Sequence, residues 1–464
     1  MKTVPVIFVG SDNQSRSRYW GSESTINFYT DYQRSGRTES ALLPWPGEKA
    51  FSASGTGTSR GMVCHNGLVY LVENEELVEI SSTGTRTSRG AIRGSGRCSF
   101  ASDGTNLVIR TGAETYLYNT TLSTITDPDL ENAQTVAYLN NQFIYQGTGG
   151  RFGVSDAGAP ASIDGLNYAT AETTGDSLVQ VYSFKERIYL GGSESIEMWY
   201  NSGVGSPPFD RVQQSSINLG VASPFSMANS YDYLYFVGSD KLVYRMSAYQ
   251  PELITPSSIA KELRQSEVFD AQGYVVKLDG QTFYIVQLPT SNKTFAVSEH
   301  TGDWIRLATG VSAGRHLING YCYAFGKHLV SDYRNGNVYE WDFDTHESNS
   351  TTLIRQRDSA PINGMALGVP GSRLVMNRFE LIMETGVGNH SIPNPKVMVS
   401  GSVDGGRSWF NEDWIELGRE GESVKRIEWY DVRTFYDLIV RVRISDPAFV
   451  AIHGANIDLK TAGW

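Results

Sequence analysis

The sequence is poor in the residues that most often carry chemistry. It has three cysteines, Cys64, Cys98 and Cys322, odd in number, widely spaced and without a Cys-x-x-Cys pair. No disulfide framework or thiolate metal site is encoded, and buried thiols in a reducing compartment are expected. The histidines (His65, His300, His316, His328, His346, His390 and His453) show neither i, i+2 nor His-Glu-x-x-His spacing, so no metal ligand set is nominated. There is no P-loop Gly-Lys motif and no Gly-x-Ser-x-Gly elbow, and the glycines from Gly147 to Gly153 read as turns. No apolar run approaches the roughly 20 residues of a membrane span. The stretch Val4 to Val9 is interrupted by Pro5 and is too short for a secretion signal. Basic charge is in deficit, with 39 Lys and Arg against 50 Asp and Glu and a formal charge of -11. Tight binding to nucleic acid needs a basic face, because phosphate neutralisation supplies most of the affinity. A net acidic chain beside DNA favours passage over grip.

What is abundant is glycine (47), tyrosine (25) and phenylalanine (19), the composition of short aromatic and β-branched strands punctuated by turns. A strand–turn–strand pair recurs. Gly67 to Val72 precedes Leu77 to Ile80, Asn106 to Arg110 precedes Thr115 to Tyr118, and Gln142 to Gln146 precedes Arg151 to Val154. Arg187 to Gly191 precedes Ile196 to Tyr200, and Tyr233 to Gly238 precedes Lys241 to Met246. Thr282 to Leu288 precedes Thr294 to Val297, and Tyr321 to Phe325 is matched with Val338 to Phe343. From Leu68 through Leu107, Phe143, Ile188, Leu234 and Phe283 to Tyr323, the steps run from 36 to 49 residues. Uneven steps of about 40 residues, each holding such a pair, predict an all-β fold with a β-propeller of six or seven blades over residues 61–360.

The best helix candidate is Ser257 to Phe269, capped by Ser257 or Ser258, with Ile259, Leu263 and Val268 on one face; it reads as an insertion between blades. Pro361, Gly364, Gly368, Pro370 and Gly371 then break the pattern. The alternation beyond them, as in Leu438 to Ile444, predicts a C-terminal antiparallel β-sandwich over residues 361–464. Residues 1–60 read as an extended N-terminal segment, in which Pro44 and Pro46 keep Trp45 out of a central strand.

One motif invites an enzymatic reading. Ser402-Val403-Asp404-Gly405-Gly406-Arg407-Ser408-Trp409 fits the Asp box that sialidases and other glycosidases repeat on their blades. Its physics is that of a turn: Asp404 accepts backbone hydrogen bonds, Gly405 and Gly406 permit positive φ, and Trp409 packs beneath. Ser402, Asp404, Gly406 and Trp409 are therefore read as a structural turn, present once and outside the predicted propeller. A glycan-binding or sialidase-like propeller is the competing class. It would need an arginine triad, a Tyr–Glu pair and an acid, and no spacing picks these out. Glu75-Glu76 and Glu412-Asp413 read as solvated turns. No catalytic residue and no cofactor is nominated. The one basic cluster is Arg86, Arg89, Arg93 and Arg97, interleaved with Gly90, Gly94 and Gly96. Either these arginines face DNA phosphates or an acidic partner, or they decorate a loop and pair with local acids, which the net acidity favours.

Three colinear stretches carry a family likeness. The first is Asn27-Phe28-Tyr29, the Pro46-Gly47 turn and Ser59-Arg60-Gly61-Met62. The second runs from Ile196 to Met227, with Glu197-x-Trp199-Tyr200-Asn201 and its later Pro-Phe and Gly-x-Ala-x-Pro order. The third runs from Ile254 to Leu307, through Leu288-Pro289, Asn292-Lys293-Thr294 and Thr301-Gly302-x-Trp304. Over most of its length the chain resembles the packaged-DNA stabilisation, or tail-hub (nozzle), proteins of Salmonella-type short-tailed bacteriophages, with Val297-Ser298 where such proteins often have Tyr-Asp. The resemblance implies a non-enzymatic virion protein of the tail, assembled in the host bacterial cytoplasm. It implies a homo-hexamer below the portal and head-tail adaptor that carries tail fibres or tailspikes. Such a tube holds packaged double-stranded DNA behind a tail needle or plug until ejection. In that setting Asn27, Trp45, Pro46 and Gly47, with no evident partner in their own segment, are the candidate adaptor contacts. Loss of residues 1–50 is then expected to leave the propeller folded and abolish adaptor binding.

Overall fold

The computed structural model describes residues 2–462 except 33–38, 172–174, 214, 248, 313 and 432, and the side chain of Asn411. Short apolar strands between glycine and asparagine turns pair with their sequence neighbours, and among the described residues the result is seven four-stranded antiparallel blades. Blade 1 is Ser59–His65, Leu68–Glu73, Glu76–Ile80 and Arg86–Ala91. Blade 2 is Ser99–Ser102, Leu107–Arg110, Thr115–Tyr118 and Leu122–Thr124. Blade 3 is Val136–Leu139, Gln142–Gln146, Arg151–Val154 and Tyr168–Thr170. Blade 4 is Leu178–Phe184, Arg187–Gly192, Ile196–Asn201 and Phe209–Arg211. Blade 5 is Ala228–Asn229, Leu234–Val237, Val243–Met246 and Pro251–Leu253. Blade 6 is Gln272–Leu278, Gln281–Leu288, Lys293–Ser298 and Trp304–Arg306. Blade 7 is Ile318–Ala324, Lys327–Asp332 and Val338–Asp342, with Gly47–Ser52 as its fourth strand. Six blades are free-standing sheets; blade 6 is the head of a longer sheet that runs into the C-terminal module.

A blade is apolar on both faces, so it is stable only when its neighbours cover it. An apolar cluster fills each gap. Val72, Leu77, Leu107 and Ile109 lie between blades 1 and 2, and Val108, Val136 and Phe143 between blades 2 and 3. Ile144, Phe152, Ile188 and Leu190 lie between blades 3 and 4, and Met198, Leu234 and Phe236 between blades 4 and 5. Tyr235, Val237, Tyr284 and Phe295 join blades 5 and 6. Phe283, Ile285, Val330 and Trp341 join blades 6 and 7, and Val69, Leu71, Leu329 and Val338 join blades 7 and 1. The seventh gap closes the ring. The helix, Ser257–Arg264, sits between blades 5 and 6 with Ile259 and Leu263 buried, and Pro256 rather than a serine side chain stands at its N-cap.

The C-terminal module is a sandwich. One sheet is built on Leu374–Met383 and Ile452–Thr461; the other joins Arg355–Asp358, Asp437–Ile444, Lys396–Ser402 and Phe410–Glu416. Phe379, Trp429, Val399, Val440 and Ile457 are among the side chains that fill the space between them.

The N-terminal residues are distributed through both modules rather than forming the separate segment 1–60. Lys2–Val6 pairs with Ile452–Thr461, where an edge position tolerates Pro5. Phe28–Tyr32 and Ser40–Pro44 extend the same sheet. Thr25–Ile26 bridges Trp304–Arg306 of blade 6 to Arg355–Asp358 of the sandwich. Gly47–Ser52 supplies the outer strand of blade 7. The boundaries at 60 and 360 therefore shift: the propeller borrows a strand from before residue 60, and the sandwich borrows strands from both sides of the propeller. Blade 7 takes its fourth strand from before the propeller because the chain after Val338–Asp342 leaves for the sandwich at Arg355–Asp358. The borrowed strand covers an edge that would otherwise stand open.

Candidate functional site

The residues nominated as adaptor contacts lie inside the molecule. Asn27, held at φ 54°, donates from Nδ2 to the carbonyls of Ala308 (2.9 Å) and Ile354 (2.8 Å) and accepts from the Ala308 N–H at Oδ1 (2.9 Å). It ties the end of blade 6 to the entry of the sandwich. Trp45 is 1% exposed and packs edge-on against Phe283 and Trp341, with ring centroids at 5.2 and 5.6 Å. Pro46 and Gly47 are buried beside it. A Cβ on Gly47 would fall 2.4 Å from the Thr345 carbonyl oxygen, so only glycine lets the closing strand approach. This corrects the expectation that the Trp45 segment has no role in the fold of its own domain. These four residues form the seam where the ring closes and offer no surface for an adaptor to touch.

The four arginines do not form one patch. Arg86 and Arg89 lie on the outer strand of blade 1, whereas Arg93 and Arg97 lie on or near the crossing to blade 2. Arg86 is paired with buried Glu73. Arg89 donates twice to Glu79, at 2.9 and 2.8 Å, which holds the Glu79 carboxyl below its ordinary value. Arg93 is exposed, 3.8 Å from Glu114. Arg97 differs from all three. Its Nη1 donates to Gln272 Oε1 (2.9 Å) and to the Asn319 carbonyl (2.7 Å), and its guanidinium lies over the rings of Phe225 and Tyr274. Those partners come from blade 6, blade 7 and the entry to blade 5. An arginine beside blade 2 reaches them only by lying across the propeller axis, so a side chain occupies the axis at this level.

Other arginines, not singled out from sequence, bind carbonyl oxygens where a charge is buried. Arg60 donates to Gly96, Asn74 and Ile92. Arg110 donates to Thr135 and Gln146, fixing the crossing from blade 2 to blade 3. Arg357 donates to Phe8, Gly10 and Ser11, welding the N-terminus to the sandwich. No sequence signal separates them from surface arginines, because their acceptors are backbone atoms.

The Asp box forms the turn between Lys396–Ser402 and Phe410–Glu416. Asp404 Oδ1 accepts from the N–H groups of Arg407 and Ser408, each at 2.9 Å, and from Ser402 Oγ at 2.8 Å. These donors, Ser408 foremost, hold its carboxyl well below the ordinary value. Trp409 is covered by Arg441, whose guanidinium lies 3.6 Å from the ring centroid. Every acceptor site of Asp404 is turned toward its own turn, an arrangement for folding rather than for a substrate. Glu412 and Asp413, expected in a turn, lie on the strand Phe410–Glu416, where Asp413 accepts from Trp429 Nε1 at 2.7 Å. Among the described residues no group of histidines, cysteines and carboxylates is arranged to hold a metal. Among the described residues no helix is long and apolar enough to cross a membrane.

A model described as bacteriophage P22 Gp10, beta-propeller, matches residues 2–346, and one described as bacteriophage P22 Gp10, beta-sandwich, matches residues 365–460. No curated protein matches the chain. Among solved structures the chain is similar to the extracellular domain of the hybrid two-component system BT4673 from B. thetaiotaomicron (TM-score 0.44, 11% identity, over 76% of this chain and 46% of that one). It is also similar to YCF48 from Cyanidioschyzon merolae (0.43, 11%, 64% and 98%) and the WD40 domain of Toxoplasma gondii coronin (0.39, 8%, 72% and 87%). The chain spans less than half the length of the first of these.

Proposed function

Since the chain belongs to the bacteriophage P22 Gp10 family and is a structural protein of a phage virion, we propose that it is the tail hub, or nozzle, of a short-tailed phage. In this reading several copies, six by the resemblance, form a ring that extends the portal–adaptor channel, retains packaged DNA and anchors tail fibres or spikes and a plug. The observation that carries it is the joint match of both family models to one chain, propeller followed by sandwich. Arg97 supports the placement of the channel. With the propeller axis occupied by that side chain, a duplex has to pass between copies and not through a propeller. The formal charge of -11 per chain suits a wall past which DNA slides.

The test is reconstitution. DNA-filled heads that carry portal and adaptor but lack this protein should leak DNA, and the purified chain should bind them, stop the leak and appear by electron microscopy as a ring on the adaptor. A chain that fails to dock onto such heads refutes the reading.

A further inference from the structure

One exposed feature is used neither by the fold nor by the sites above. Asn13–Gln14 and Ser22–Glu23 pair as a short hairpin, and its tip carries Arg16, Arg18, Tyr19 and Trp20. Trp20 is 85% exposed and Tyr19 50%. The tip is held from inside, by the Ser15 N–H on the Gly21 carbonyl (2.9 Å) and the Trp20 N–H on the Ser17 carbonyl (2.9 Å). It lies against the Asp-box turn, where a Cβ on Gly405 would stand 3.1 Å from Arg18 Cβ. That contact brings Arg407 of the turn to the same surface. Among the described residues none of Arg16, Arg18 and Arg407 has a carboxylate partner. On a chain of charge -11, three unpaired guanidinium groups beside two exposed aromatic rings are the composition of an interface anchor.

A complementary surface exists on a different arc of the ring. Between the outer strands of blades 3 and 4 runs an open groove of about 690 Å³ with Leu166, Tyr168, Trp199 and Arg211 in its wall. Leu166 is 71% exposed and Tyr168 45%. Its rim is acidic. Asp164 accepts from the Leu166 N–H at 2.9 Å, Asp156 lies 3.4 Å from Asn167 Nδ2, and Asp129 lines the adjoining recess with Tyr168. Asp127 accepts from the Ile163 N–H at 3.1 Å. Arg211 in the groove is paired with Glu197, and Arg151, stacked on Tyr168, is paired with Glu131. None of the four aspartates has an ion-pair partner among the described residues. They are left to match the basic collar, while Leu166, Tyr168 and Trp199 match the aromatic tip.

We propose that the hairpin tip around Trp20 seats in the blade 3–4 groove of a second copy of this chain, with Arg16, Arg18 and Arg407 facing Asp127, Asp129, Asp156 and Asp164. The contact joins two different surfaces, so it is heterologous, and such a contact builds a ring when the rotation between neighbours closes. The aromatic tip supplies the buried anchor and the charge pairs supply register and encounter rate. The inference rests on the self-assembly in the reading above and adds which surfaces meet.

A charge-exchange experiment on the full chain tests it. One variant carries Arg16→Glu, Arg18→Glu and Arg407→Glu; the other carries Asp127→Lys, Asp129→Lys and Asp164→Lys. Each alone is expected to lose self-association by about 100-fold or more in sedimentation, as like charges then oppose each other. A 1:1 mixture restores opposite charge at every exchanged position around an alternating ring and should assemble within about threefold of wild type, which also shows that both variants fold. If each variant assembles alone as the wild type does, the contact lies elsewhere and the inference is overturned, while self-assembly stands. If the wild type forms no rings, alone or on its adaptor, the self-assembly reading fails and this contact with it. If the arginine variant assembles normally but loses affinity for a 30-base-pair duplex, the tip is a DNA contact and the proposal is likewise overturned.

Discussion

The gap between blades 1 and 2 and the gap between blades 6 and 7 do the same job with different materials. The first is filled by residues close in sequence, Val72, Leu77, Leu107, Ile109 and Tyr118 among them, and it forms as the chain adds one blade to the next. The second draws Tyr29 and Trp45 from the N-terminus against Phe283 and Trp341 from the far end of the propeller. It also buries polar atoms that the first does not. His316 Nε2 lies 2.8 Å from Glu48 Oε1 without the geometry of a hydrogen bond, and the indole nitrogens of Trp45 and Trp341 and Nε and Nη2 of Arg355 have no partner among the described residues. Local gaps form at little chain-entropy cost, whereas this seam requires both ends of the chain to be in place. The difference teaches that the ring has one weak point, and that it coincides with the joint to the sandwich.

The largest effect follows from removing the seam's N-terminal half. A chain lacking residues 1–50 loses most of the outer strand of blade 7 and strands of both sandwich sheets, and it should show no cooperative unfolding transition. This replaces the expectation that the propeller survives that deletion; a truncated chain that melts sharply, with native near-UV circular dichroism, breaks the comparison. Next, Trp45→Ala should cost about 3–5 kcal/mol and Leu107→Ala about 2–5 kcal/mol, measured by denaturant unfolding. The sharper readout is limited proteolysis: Trp45→Ala should expose both modules to cleavage, and Leu107→Ala the blades alone. Glu48→Gln removes the buried carboxylate that faces His316 at 2.8 Å and whose charge acts on buried Arg355 from beyond contact, and should cost about 1–3 kcal/mol.

The parts of the fold legible in the sequence were the second and third strands of the blades, because these are apolar on both faces. Outer strands such as Arg86–Ala91 and Leu122–Thr124 are exposed and polar, and the pattern contains nothing to distinguish them from loops. In blade 7 the pairing skipped Lys327–Asp332, whose first two residues, Lys327 and His328, look like a turn although Leu329 and Val330 are fully buried. The edge strand Phe410–Glu416 was hidden in the same way behind Glu412 and Asp413. Trp45 and Arg97 failed for a different reason. Trp45 meets Phe283 and Trp341, and Arg97 meets Gln272 and Asn319, and no local pattern encodes contacts at such separations. The Asp box was readable because its hydrogen bonds are all local.

Acidification should act on the seam before it acts on the local gaps. Burial, and then the Arg355 charge, push the His346 imidazole down to about 4, against about 6.5 for a free histidine. Between those values the unfolded chain binds the proton and the folded chain does not, so stability falls as pH falls from about 6.5 to 4. Burial lowers His65 and His328 as well, so all three act in the same direction. His346→Gln should flatten the slope of unfolding free energy against pH in that window more than His65→Gln does; equal slopes would place the acid sensitivity outside the seam.

The smallest effect is expected at the outer strand of blade 1. Arg89 and Glu79 form a two-pronged pair in which the arginine is about one-third exposed, 34% by side-chain surface, and water screens most of the attraction. Arg89→Gln should therefore change stability by no more than about 1 kcal/mol. The same substitution separates the two readings of the arginine strip. With Arg86 paired to Glu73 and Arg97 committed to the propeller axis, Arg89 and Arg93 are what remains to meet DNA. If Arg89→Gln with Arg93→Gln leaves DNA retention in particles unchanged, the strip serves the fold alone. A rise in leakage without loss of stability would instead return these two side chains to the channel wall and make the local gap, not the seam, the functional face of the ring.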